Sequence, residues 1–133
     1  MESCPELTLR KIEFNLAAIY TASNNFVLAK GWLDCVKGNS IIFERRNDIA
    51  VLYNKIGDMF IDNTNKYVKM RIECYEIAAE YYAKSKDWYS YCQVGVVHAQ
   101  LLHEINYLKD SVKVANKVLA ACLYFNEGDI LGL

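Results

Sequence analysis

The sequence has very little proline and glycine: one proline, Pro5, and six glycines in 133 residues. Sheet-rich folds need turn residues at short intervals, so this scarcity points to helices. Nor is there an excess of charge of either sign, with fifteen Lys and Arg against sixteen Asp and Glu for a net charge of -1. No bulk field is left to hold a phosphate polyanion or an anionic membrane surface, which argues against nucleic acid as the main partner. A long uncharged run of the kind a membrane span requires is also missing. The opening Met1-Glu-Ser-Cys-Pro-Glu6 has neither a basic start nor an apolar core, so no secretory signal is expected and the protein is placed in the cytoplasm.

Paired cysteines are absent too. Cys4, Cys35, Cys74, Cys92 and Cys122 are scattered without a CxxC spacing. A disulfide framework or a tetrahedral zinc site normally shows paired spacing, so the expectation is reduced, mostly buried structural thiols, with no metal, no cofactor and no redox role. The glycines stand alone and form no phosphate-binding loop.

What the chain does have is apolar surface to bury. Hydrophobic residues make up 53% and aromatic residues 13%, beside 23% charged, too apolar for disorder and sufficient for one core. A single domain over residues 1–133 is expected. Apolar residues recur at helical spacing almost throughout and predict six helices. The first, about 7–23, carries Leu9, Ile12, Leu16 and Ile19 on one face and breaks at Asn24-Asn25. The second, about 26–37, buries Phe26, Ala29, Leu33 and Val36 before Gly38. The third, 46–61, repeats Ile49, Tyr53, Ile56 and Phe60, and Asp62-Asn63-Thr64-Asn65 ends it. The fourth, about 66–84, is broad enough to touch two neighbours, with Ile72, Tyr75, Ala79 and Tyr82 flanked by Met70, Cys74, Ala78 and Tyr81. The fifth, about 87–104, is capped by Asp87 and leaves only a narrow polar strip. The sixth, about 108–125, sets Leu108, Val112, Ala115, Leu119 and Cys122 against Lys109, Lys113 and Lys117, and Asn126-Glu127-Gly128-Asp129 closes it.

Short connections make successive helices antiparallel neighbours. Whether they form a bundle or a row of pairs is decided by repetition. Tyr53-Asn-Lys-Ile56-Gly57-Asp-Met-Phe60 places a large residue, an aliphatic, a small residue and an aromatic at the steps of the tetratricopeptide (TPR) pattern, in which the small residue lets the partner helix lie close. Leu16-Ala17 with Tyr20 matches three of the positions, and Tyr91, Val94 and Gly95 match three more, with His98 in the aromatic place. Pairs starting near residues 8, 47 and 88 are spaced more widely than an ordinary TPR repeat of about 34. The expected fold is all-α, a TPR-like right-handed solenoid of about three antiparallel helical pairs.

From Ile49 to Val118 the chain resembles the soluble NSF attachment protein (SNAP) family, TPR-like adaptors that couple SNARE bundles to the ATPase NSF. The likeness is carried by Ile49-Ala-Val-Leu-Tyr53, by Cys74-Tyr-Glu-Ile-Ala-Ala-Glu-Tyr-Tyr82, and then by Cys92, Val94-Gly95, Ala99-Gln-Leu-Leu-His-Glu104, Tyr107 and Val114-Ala115. The family's membrane-touching N-terminal loop and its acidic, leucine-bearing tail are not recognisable here. The resemblance implies a non-catalytic adaptor that binds a SNARE-type helical bundle in intracellular vesicle transport, peripheral to membranes only through its partners, and leaves engagement of NSF open. The second possibility is a general TPR scaffold or chaperone-type module that binds peptides of other proteins.

Candidate chemistry is sparse. His98 and His103, five residues apart, fall about 140 degrees from each other around a helix and do not share a metal. His98 reads as a satisfied core residue, and Glu73, Glu76 and Glu80 as a solvated face with ordinary pairing to Lys84, so an enzyme is not expected. The ten tyrosines read as core filling. Lys109, Lys113 and Lys117 repeat every four residues, and Lys66 and Lys69, with Arg45 and Arg46, add to the same surface if they share its side. The bland reading is a solvated outer face; the functional one is an electrostatic contact for an acidic partner helix. The oily face of the last helix, without a polar cap, also suggests a homodimer through that end.

Overall fold

A computed structural model of the chain describes residues 3–38, 46–60 and 67–132, with side chains for 8–38, 47–60 and 67–124. Among the described residues the fold is all-α: α1 (Ser3–Ala22), α2 (Phe26–Gly38), α3 (Arg46–Met59), α4 (Val68–Lys84), α5 (Trp88–Glu104) and α6 (Leu108–Gly132). The closest packing is between α1 and α2, α3 and α4, and α5 and α6; α2 against α3 and α4 against α5 then join one pair to the next. This is the all-α solenoid of three antiparallel helical pairs. The predicted breaker at 62–65 lies outside the described residues.

Three of the connections share one geometry. Asn24, Lys86 and Asn106 all have positive φ, at 63°, 59° and 66°. At each, the next residue's N–H donates to a carbonyl five residues back, Asn25 to Tyr20, Asp87 to Tyr82 and Tyr107 to Leu102, at 2.8 to 2.9 Å. This is the αL helix terminator that satisfies the orphan carbonyls of a last turn. A new helix begins at once. At α5 the Asp87 side chain accepts from Ser90 N–H, the cap read from the sequence.

The core runs through the middle of the row. Ala17, Ala29, Leu33, Val36, Ile49, Tyr53, Ile56, Cys74, Tyr75 and Ala78 are fully buried, and Phe26, Phe60 and Tyr67 form a ring cluster with centroids 4.4 to 5.8 Å apart. The small residues of the repeat sit where helices approach most closely. A Cβ on Gly57 would lie 2.8 Å from the Tyr75 ring, and one on Gly95 only 2.2 Å from Val118.

Four expectations are corrected. The apolar stripe predicted to pack α1 faces outward, with Leu9, Ile12 and Ile19 about half exposed, and the helix is seated instead through Phe14, Ala17 and Thr21. The same holds for α6: Leu108, Val112 and Leu119 are exposed, while Val118 is buried and Val114 half-buried. The physical reason is shared, since each of these helices has packed neighbours on one side only, and periodicity locates an apolar face without saying whether a neighbour covers it. Third, α6 does not stop at Asn126 but continues to Gly132. A helical glycine is unfavourable by only about 1 kcal/mol and, unlike proline, removes no hydrogen bond. Fourth, the tyrosines divide: Tyr53, Tyr75, Tyr81 and Tyr82 are core, but Tyr89, Tyr107 and Tyr124 are exposed.

Candidate functional site

The fifth helix is the floor of a groove. With α4 packed on one flank and α6 on the other, the outer turns of α4 and α6 stand as two walls, separated by two adjoining hollows of about 380 and 350 Å³. The floor is Tyr91, Gly95, His98 and Leu102; the α4 wall is Ile72, Glu76, Ala79 and Glu80; the α6 wall is Asp110, Lys113, Val114 and Lys117. Gly95 is what lets α6 lie close at this point.

The α4 wall carries Glu76 and Glu80, and the α6 wall carries Lys113 and Lys117 with Asp110 beside them. Of the candidate lysines, Lys113 and Lys117 line the groove, whereas Lys109 and Lys69 are exposed and do not. Lys66 and Arg45 lie outside the described residues, as does the side chain of Arg46. The stripe is thus not a purely basic edge but half of a charged pair of walls. Glu76 feels this setting: burial, then Glu73 and Asp110, push its carboxyl above the usual range, and Lys117 opposes them. Glu80 pairs with Lys84 at 3.3 Å, the pairing expected from spacing. Glu73 does not join that series; it reaches Lys30 of α2.

His98 is buried, as expected for a core residue, but it is not satisfied. Its Nε2 has no hydrogen-bond partner among the described residues, and its ring stands 6.3 Å from that of Tyr75. Burial lowers its pKa, against a smaller opposing pull from Asp110, so the neutral imidazole is favoured. It occupies the aromatic place of the repeat and lies beneath both hollows.

A second polar cluster lies between α2, α3 and α4. The Lys30 ammonium, almost fully buried, donates to Asp34 at 2.9 Å and to Glu73, while the Tyr53 hydroxyl donates to the other oxygen of Asp34. Burial lowers the Lys30 pKa, but its carboxylate partners more than offset this and the net shift is upward. Burial pushes the neighbouring Cys74 thiol up to about 12, against the pull of Lys30. Nearby, Tyr75 donates to Asp58 at 2.7 Å and accepts from Arg71 at 3.2 Å. Sequence spacing gave no sign of the Lys30 cluster, because Lys30 and Glu73 are far apart along the chain and Lys30 adjoins an ordinary apolar position.

The thiols are not mostly buried. Of those described only Cys74 is; Cys35 is exposed, and Cys92 and Cys122 are half-buried with their sulfurs 3.1 Å apart. Among the described residues no group of three or more metal-ligating side chains converges, and no helix is long and apolar enough to cross a membrane. Compared with known proteins, the chain matches no family model, no curated protein and no solved structure.

Proposed function

We propose that this chain is a non-catalytic protein-binding module that seats a helical segment of its partner in the groove between α4 and α6. The single observation that carries the reading is the pairing of walls, Glu76 and Glu80 facing Lys113 and Lys117, over a floor of Tyr91, Gly95, His98 and Leu102. A helix laid along α5 would place small apolar residues on Ala79, Ala83 and Gly95, acidic residues toward the lysines and basic residues toward the glutamates. Such charges set orientation and encounter rate more than affinity.

The finer reading is a short SNAP-like adaptor in vesicle transport, peripheral to membranes through its partner. It rests on the residues from Ile49 to Val118 that resemble the family, and the helical-pair solenoid is compatible with it. Such an adaptor grips the side of an assembled SNARE bundle, whereas a general TPR scaffold holds a short peptide tail. Retention of an assembled bundle on the immobilised chain, lost with Lys113→Glu/Lys117→Glu, supports the adaptor; retention of isolated peptides alone would replace it with the scaffold.

A further inference from the structure

Cys92 and Cys122 stand opposite each other across the α5–α6 hairpin, fourteen residues before and sixteen after the turn residue Asn106. Their register is that of the hairpin itself, as two other contacts show: Ser111 Oγ donates to the carbonyl of Ala99 at 2.7 Å, and Gly95 meets Val118. The sulfurs are 3.1 Å apart, and a bonded pair stands at about 2.05 Å. About 1 Å of approach between the two sulfurs separates the dithiol from a disulfide. Both residues are half-buried, so a small oxidant reaches them.

We propose that Cys92 and Cys122 form an oxidant-responsive dithiol, a modification site that takes a peroxide and becomes a disulfide joining α5 to α6. One of the two sulfurs, as thiolate, attacks a peroxide oxygen; the O–O bond breaks, a sulfenic acid forms and the other oxygen leaves as water after taking up a proton. The second sulfur then attacks the sulfenic sulfur, the S–S bond forms, the S–O bond breaks, and the departing hydroxyl leaves as a second water with the proton of that second thiol. Two thiols are oxidised by two electrons, and one peroxide is reduced to two waters. Cys74 is buried.

The site is independent of the groove reading and is tested separately from it. The full chain is treated with hydrogen peroxide, alkylated and digested with trypsin. Cleavage at Lys86, Lys109 and Lys117 places Cys92 in peptide 87–109 and Cys122 in peptide 118–133. The expected result is a linked pair of these two peptides, lighter than their sum by two hydrogens, formed within one chain and returned to two free peptides by dithiothreitol. Cys92→Ser and Cys122→Ser each abolish the link, and with Cys35→Ser as background the linked wild-type pair persists. Full alkylation of both thiols under conditions that oxidise Cys35, or links only between chains, would overturn the proposal.

Discussion

Gly95 of α5 and Val118 of α6 interlock: the space a Cβ would fill at 95 is taken by Val118 Cγ2, 2.2 Å from where that carbon would sit. The α5–α6 contact therefore depends on a missing methyl group. Because Val118 is branched at Cβ and almost fully buried, it has little freedom to turn aside. Gly95→Ala gains about 1 kcal/mol of helix propensity but is expected to lose about 1–3 kcal/mol by overpacking, for a net loss. Urea denaturation should show this, and Gly95→Ala/Val118→Ala should recover part of it, the coupling being read from the double-mutant cycle.

Lys86 holds a conformation that L side chains adopt at a cost. With φ at 59° in the turn between α4 and α5 and its side chain exposed, it has nothing to lose from becoming glycine. Lys86→Gly is expected to stabilise the protein by about 1 kcal/mol. Asn24→Gly, at the matching turn, should gain less, since asparagine tolerates this region better. A thermal melt that places Lys86→Gly below the wild type would refute the assignment.

The orphaned imidazole of His98 makes a pH signature. Its folded pKa lies below the ordinary 6.5, so the unfolded chain binds more protons between the two values and stability falls as pH drops through 6.5. Glu76 on α4 works the other way, since its raised carboxyl pKa favours proton uptake by the folded state; Asp110, Lys113 and Lys117 complete the charges facing the ring from α6. Phenylalanine, at the place held by Tyr20 and Phe60 in the other pairs, removes the unpaired nitrogen. His98→Phe in a Glu76→Gln background is expected to raise stability at pH 6 by about 1 kcal/mol and to flatten the slope between pH 5.5 and 7.

Lys30 is a buried charge whose two partners are partly in water, Asp34 at 40% and Glu73 at 54% side-chain exposure. Lys30→Met keeps the volume and removes the ammonium. The loss is expected to be about 1–3 kcal/mol, below that of a fully enclosed pair because both carboxylates retain solvent. Lys30→Met/Asp34→Asn/Glu73→Gln should return most of it, because no unpaired charge then remains.

In the groove, Lys113→Glu/Lys117→Glu places like charges opposite Glu76 and Glu80. On the proposed adaptor reading, binding of an assembled SNARE bundle, followed by fluorescence anisotropy at low salt, weakens about tenfold, since exposed pairs contribute at most about 1 kcal/mol each. Lys109→Glu, outside the groove, should leave it unchanged, and added salt should erase the difference.

Much of this architecture is legible in the chain. Ile49, Tyr53, Ile56 and Phe60 are buried as their spacing predicts, and the small residues Gly57 and Gly95 stand at the closest approaches. Internal helices have packed neighbours on two sides, so the face carrying Ile49, Tyr53, Ile56 and Phe60 is covered, although Val27, Leu28, Val51 and Val96 on other faces stay exposed. Leu9, Ile12, Leu108 and Val112 mislead for the converse reason. The site was half legible: the lysine spacing is local and visible, but its confrontation with Glu76 depends on how α4 and α6 flank α5. Cys92 and Cys122 look unrelated until the turn at Asn106 fixes the hairpin register, after which their opposition follows from counting outward.

The Lys30 contact with Glu73 also bears on how the protein comes apart. The Lys30 ammonium of the first hairpin is shared between Asp34 of its own helix and Glu73 of the second hairpin, so a fragment cut after Gly38 keeps one carboxylate partner and loses the other together with the helices that cover it. The opening hairpin is thus no autonomous module, and its unravelling should be tied to that of the helices after it, giving a chain that melts as a block and not hairpin by hairpin.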